Sequence, residues 1–187
     1  MTTAVADRPR LLRSGLTIAI LAGAVVAVSL GVYARAHHAA GKPVFTLGFS
    51  GVLQMKAWLA TIVLVLALVQ LLTALAMWGK LGVHASGPAI SVVHRWSGAI
   101  AFAVSLPVAF HCIWSLGFAT GSARVVVHGV AGCAFYGAYT AKMIGLRLDG
   151  MPKWALPVLG GTVLALVVIL WLTASLWFFT RSGVPLT

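Results

Sequence analysis

Five stretches of this chain are apolar for long enough to cross the hydrocarbon core of a bilayer, which takes about 20 residues of helix. They run approximately from Gly15 to Ala36, Met55 to Gly79, Val92 to Phe118, Arg124 to Leu146 and Trp154 to Thr180. In lipid every backbone N–H and C=O must be satisfied within the protein, so such stretches are helices. The expected fold class is therefore an all-α integral membrane protein, a bundle of five transmembrane helices. Composition agrees: of 187 residues 61% are hydrophobic and 8% charged, with a mean hydropathy of +1.04. The first stretch carries a small-x-small sequence, Ala34-Arg35-Ala36, of the kind found at signal cleavage sites. Its apolar run exceeds the ~7–15 residues of a signal core, which favours an uncleaved helix.

The formal charge of +11 does not indicate nucleic acid, because Lys and Arg stand singly at the ends of the apolar runs. That placement anchors helices at the membrane surface. Counted by side, Arg8, Arg10, Arg13, Lys80, Arg95, Lys142, Arg147 and Lys153 oppose Arg35, Lys42, Lys56, Arg124 and Arg181. The larger group belongs inside, so the N-terminus is expected in the cytoplasm of a plasma-membrane protein and the C-terminus outside. Residues 1–14 then form an inner tail, 15–180 the membrane domain and 181–187 an outer tail. The longest outer connection runs from His37 to Gln54.

Asp7 and Asp149 are the only acids, and both lie outside the apolar runs. Paired-carboxylate catalysis, carboxylate metal cages and an acidic proton relay therefore lack their residues, and intramembrane acids for a transporter are missing too. Cys112 and Cys133 form no Cys-x-x-Cys motif, which disfavours covalent haem attachment and iron–sulfur ligation and leaves free core thiols as the plain reading. Gly160-Gly161 starts no phosphate loop.

Histidine is the informative residue. His37, His38 and His84 fall in connections, whereas His94, His111 and His128 fall in or at the ends of spans. His111 and His128 are equidistant from a midpoint between Ala119 and Thr120, in the polar turn that joins the third and fourth spans. An antiparallel hairpin over 92–146 would hold both rings at one depth, as a bis-His haem b site requires. A single intramembrane His more often only bonds a neighbouring helix, but a depth-matched pair favours ligation. Gly129, Ala131, Gly132, Gly137 and Ala138 would keep the fourth helix thin beside a macrocycle. On the His128 face follow Gly132, Phe135 and Tyr139, an aromatic lining, and then Lys142. Arg124, one turn before His128, is placed to meet a haem propionate.

One haem is expected rather than two. A helix that holds two stacked haems needs ligands about 14 residues apart; His94 precedes His111 by 17, and the position fourteen after His128 is Lys142. Pro107 offers a kink between His94 and His111. His94, Arg95 and Lys142 make a possible second site in the inner leaflet, near His84 and Lys80, for a quinone head group, a lipid phosphate or a water chain; a structural cap at the surface is the alternative. Trp96 suits the same depth.

The segment Val93-His-Arg-Trp-Ser-Gly98, with Pro107-x-x-x-His111, Val127-His-Gly-x-x-Gly-x-x-Phe-Tyr136 and Lys142, resembles the ferric-reductase-like transmembrane cytochromes b. Together with Lys56-Ala-Trp-Leu-Ala-Thr61 it is more similar to a small, uncharacterised actinobacterial membrane-protein family. The resemblance covers roughly Lys56 to Lys142. It implies a helical bundle carrying haem b on His111 and His128 and passing electrons to or from a redox partner protein or quinone. Members with two haems carry two His pairs, and this chain has one pair plus His94. It also lacks a flavin or nicotinamide domain, so it is expected to act as an electron-transfer subunit within a larger complex. The alternative is a cofactor-free accessory or anchor subunit.

Overall fold

A computed structural model describes residues 8–82 and 87–184. Five helices follow one another: α1 (Arg8–Ala36), α2 (Val52–Met77), α3 (Pro88–Phe110, continued as a π-helical segment His111–Leu116), α4 (Ala123–Gly145) and α5 (Ala155–Trp171, then π-helical Leu172–Leu176 and α-helical Trp177–Ser182). The all-α membrane fold expected from the apolar runs is thus present. Four helices, α1, α2, α3 and α5, are long and apolar enough to cross a membrane by composition alone. The expected fourth span, α4, is a 23-residue helix but falls short in apolarity. It carries Arg124, His128, Thr140 and Lys142 and is rich in glycine.

The helix ends follow local chemistry. Pro88 opens α3 after an extended Gly87, where its missing N–H and fixed φ cost nothing. Ser122 caps α4, its hydroxyl accepting from the Val125 N–H. Gly117 ends α3 with φ 64°, and the next N–H, of Phe118, donates 2.9 Å to the Ala34 carbonyl at the end of α1.

The packing order is not the chain order. α1 lies against α4, α4 against α5, α5 against α2 and α2 against α3, whereas the consecutive helices α3 and α4 do not pack backbone to backbone. Lipid tails are as apolar as leucine, so burial of apolar surface does not drive these pairs; close contact and interhelical hydrogen bonds do. At the α1–α4 crossing Gly23 faces Gly137. A Cβ added at Gly137 would sit 2.6 Å from the Gly23 carbonyl oxygen and 2.8 Å from Ala27 Cβ, so only glycine admits this approach. Between α2 and α3, Gln70 donates to the His94 carbonyl and, at 2.8 Å, to Ser97 Oγ. Between α5 and α2, Trp171 Nε1 donates 2.9 Å to Thr61 Oγ1.

Side chains bridge α3 and α4 over part of their length. Phe102 stacks on Tyr139 with ring centroids 4.4 Å apart, and the Tyr136 hydroxyl lies 2.9 Å from Ser105 Oγ. Nearer the α3–α4 turn the helices stay apart. Val63, Phe135 and Val167 form the buried apolar cluster at the centre of the bundle.

Candidate functional site

The gap between α3 and α4 opens into a cavity of about 430 Å³ to which all five helices contribute. Its wall is mainly apolar, and Lys56, Cys112, Arg124, His128 and Tyr136 are its chemically active groups. It lies at the end of the bundle where α2 and α4 begin.

Both π-helical segments flank this region. A π turn inserts a residue into the α-helical ladder and frees backbone carbonyls, a device common at functional sites. At the C-terminal end of α3, where the last carbonyls have no intrahelical partner, those of Trp114 and Ser115 accept from Ala40 N and Gly41 N at 3.1 and 3.0 Å, which ties the α1–α2 connection to the helix. In α5 the Thr173 carbonyl accepts from Arg124 Nη1. The Arg124 guanidinium also stands 4.0 Å over the Trp177 ring, a cation–π contact.

Thr173 fixes the protonation pattern of His128. Its hydroxyl donates to the Ile169 carbonyl at 2.7 Å, so its one proton is committed. The 3.0 Å contact between Thr173 Oγ1 and His128 Nδ1 therefore has the ring nitrogen as donor, leaving a lone pair on Nε2. That Nε2 lies 4.0 Å from Cys112 Sγ. His111 has the same tautomer for a simpler reason: Nδ1 is 2.9 Å from the Pro107 carbonyl, which can only accept. The His111 ring is fully buried, edge-on to Phe45 at 4.5 Å, and its Nε2 has no hydrogen-bond partner among the described residues. A ring held through Nδ1–H with a free Nε2 lone pair is the arrangement of a metal-ligating histidine.

The expected site residues separate as follows. His128, Arg124, Gly132 and Phe135 line the cavity, whereas His111 does not. It sits beside the wall, and its neighbour Cys112 faces His128. Tyr139, expected in the lining, stacks on Phe102, and Tyr136 takes its place at the wall. Of the small residues on α4, Gly129 and Gly132 border the cavity. Gly129 lies under Phe118, whose Cε2 would be 2.9 Å from an added Cβ, and Gly137 serves the α1 contact.

The second expected cluster is partly assembled. His94 Nδ1 donates to Thr73 Oγ1 at 2.8 Å, since the threonine hydroxyl bonds the Val69 carbonyl, and His94 interacts electrostatically with Lys142. Arg95 is exposed, His94 does not line the cavity, and His84 lies outside the described residues.

Three wall or support residues were not singled out from sequence. Lys56, expected as a surface anchor, is only 9% exposed. It reaches the Cys112 sulfur. Its position one turn inside an apolar helix was the available signal. Cys112 reads from sequence as a free core thiol, and no signal marks Thr173.

A model for a family of unknown function, DUF6529, matches residues 16–186. The chain belongs to that family. No curated protein and no solved structure matches. The match reaches into all five helices.

Proposed function

We propose that this chain is a membrane-embedded b-type cytochrome subunit, in which His128, at the wall of the cavity between α3 and α4, and His111, beside that wall, would hold a single haem b. The observation that carries the reading is the shared tautomer of the two histidines. Each ring is anchored through Nδ1–H, to Thr173 Oγ1 or the Pro107 carbonyl. Each keeps its Nε2 lone pair out of any strong hydrogen bond. An apolar wall with cations at one end suits a flat hydrophobic macrocycle that bears carboxylates.

Bound there, haem would supply one-electron chemistry, with the protein setting its potential through ligand hydrogen bonds and burial. Thr173 and the Pro107 carbonyl would orient the imidazoles, Phe135 and Gly132 would border the ring, and the apolar wall would exclude water. The electron partner is a redox protein or a quinone in the membrane, and the plasma membrane with the N-terminus in the cytoplasm is the proposed setting.

A second reading, a cofactor-free accessory subunit, draws on the position of His111 outside the cavity wall. A reduced-minus-oxidised spectrum with a pyridine haemochrome assay on the purified full chain separates the two. A low-spin b-type signal near one haem per chain is expected, and its absence after expression with ample haem supply refutes the cytochrome reading.

A further inference from the structure

The cavity collects positive charge, and no carboxylate among the described residues stands near it; the group beside Lys56 is the Cys112 thiol. Lys56 is more than nine-tenths buried and lines the cavity with Arg124. Arg124 stands in the first turn of α4 and Lys56 just past the first turn of α2, near helix ends where the macrodipole presents its positive pole and cations are disfavoured. Neither helix carries an acidic residue in its first turn. The one side-chain carboxylate among the described residues, Asp149, lies in the α4–α5 connection, where its carbonyl faces Gly15 near the start of α1. That is the opposite end of the bundle. A buried ammonium with a thiol and no carboxylate beside it is costly, and a hydrophobic helix could have placed any apolar residue at position 56.

We infer that Lys56 and Arg124 form an anion clamp, and that the cavity takes a bulky apolar ligand carrying a carboxylate or phosphate group between them. This deepens the haem proposal, in which the anion is a propionate, and it rests on that proposal only for the ligand's identity. A fatty acid or an anionic phospholipid has the same chemistry. The Arg124 guanidinium is held in place by the Thr173 carbonyl, which accepts from Nη1, and by the Trp177 ring, and Lys56 meets the ligand from the α2 side.

The test compares charged and neutralised forms of the same probe on the full chain in nanodiscs: haemin against its dimethyl ester, and a long-chain fatty acid against its methyl ester. Wild-type protein should bind the acid at least about ten-fold more tightly than the ester for one of these pairs, the size expected for charge-assisted hydrogen bonds. Lys56→Met should remove most of that preference and Lys56→Arg should retain it, while ester binding stays level. The wild-type comparison alone decides the matter if a variant fails to fold. Acid preference for the fatty acid without haemin binding would defeat the haem reading and keep the clamp. Equal binding of acid and ester in both pairs, or a preference indifferent to Lys56→Met, would overturn the clamp, even with haem bound.

Discussion

Cys112 Sγ lies 4.0 Å from His128 Nε2, so the α3 residue that meets His128 across the gap is the neighbour of His111. Chain spacing in an antiparallel hairpin gives His111 and His128 one expected depth, but the π-helical segment begins at His111 and changes the direction in which successive side chains leave the axis. Depth in a hairpin follows from counting residues; azimuth depends on every turn being α-helical.

If His128 and His111 ligate one haem, replacing either with alanine should abolish or severely reduce haem retention. His94→Ala should leave one low-spin haem per chain, because His94 is occupied with Thr73 and lines no part of the cavity. Haem content by pyridine haemochrome is the measurement. Full occupancy in the His111/His128 double variant, or two haems in the wild type, would break this assignment.

Thr173→Val keeps the shape of the side chain but removes the acceptor for the His128 Nδ1–H. Lost support of this kind typically weakens a metal site about 10–100-fold. Haem affinity should fall and the midpoint potential should move. Unchanged affinity and potential would show that the Thr173 contact does not orient a ligand.

At the α1–α4 crossing, Gly137→Ala drives a methyl group into the Gly23 carbonyl and Ala27. Overpacking of this kind costs about 1–3 kcal/mol. Thermal unfolding in detergent should show the loss, with Gly161→Ala as the control, since a Cβ there meets nothing within 4 Å. Equal behaviour of the two variants would place the glycine contact outside the energetics of the fold.

An odd number of crossings puts the termini on opposite sides. Single cysteines at Ala4 and Val184, in a background with Cys112 and Cys133 replaced by alanine, should react with impermeant reagents from opposite faces, Ala4 from the cytoplasm. Reaction from one face would mean that α4, the helix that falls short in apolarity, does not cross.

Helix number and extent were legible because bilayer thickness and hydropathy act on local sequence. The α3–α4 turn was legible from polar residues and glycine between Gly117 and Ser122. Lys56 and Thr173 were not, because their roles depend on which helices become neighbours. Lys56 reads as an interfacial anchor until α3 and α4 are brought around it. Thr173 sits in α5, 45 residues from the histidine it orients, and a lone threonine in an apolar run carries no periodic mark. Tyr139 was assigned to the lining from helical spacing alone; tertiary contact sends it to Phe102 and gives the wall to Tyr136.

The pairing of α1 with α4 has a consequence for biogenesis. Helices leave the ribosome in order, yet the glycine face of the first finds its partner only when the fourth has been made. Until then Gly23 has no surface to meet, while α2 and α3 can pair at once through Gln70, His94 and Ser97. The second and third helices can therefore pair first, α1 completes its docking when α4 arrives carrying His128, and α5 supplies the last wall of the cavity. A chain truncated before α4 should leave α1 without its glycine contact, tied only near its C-terminal end to the end of α3, and more open to capture by quality-control proteases.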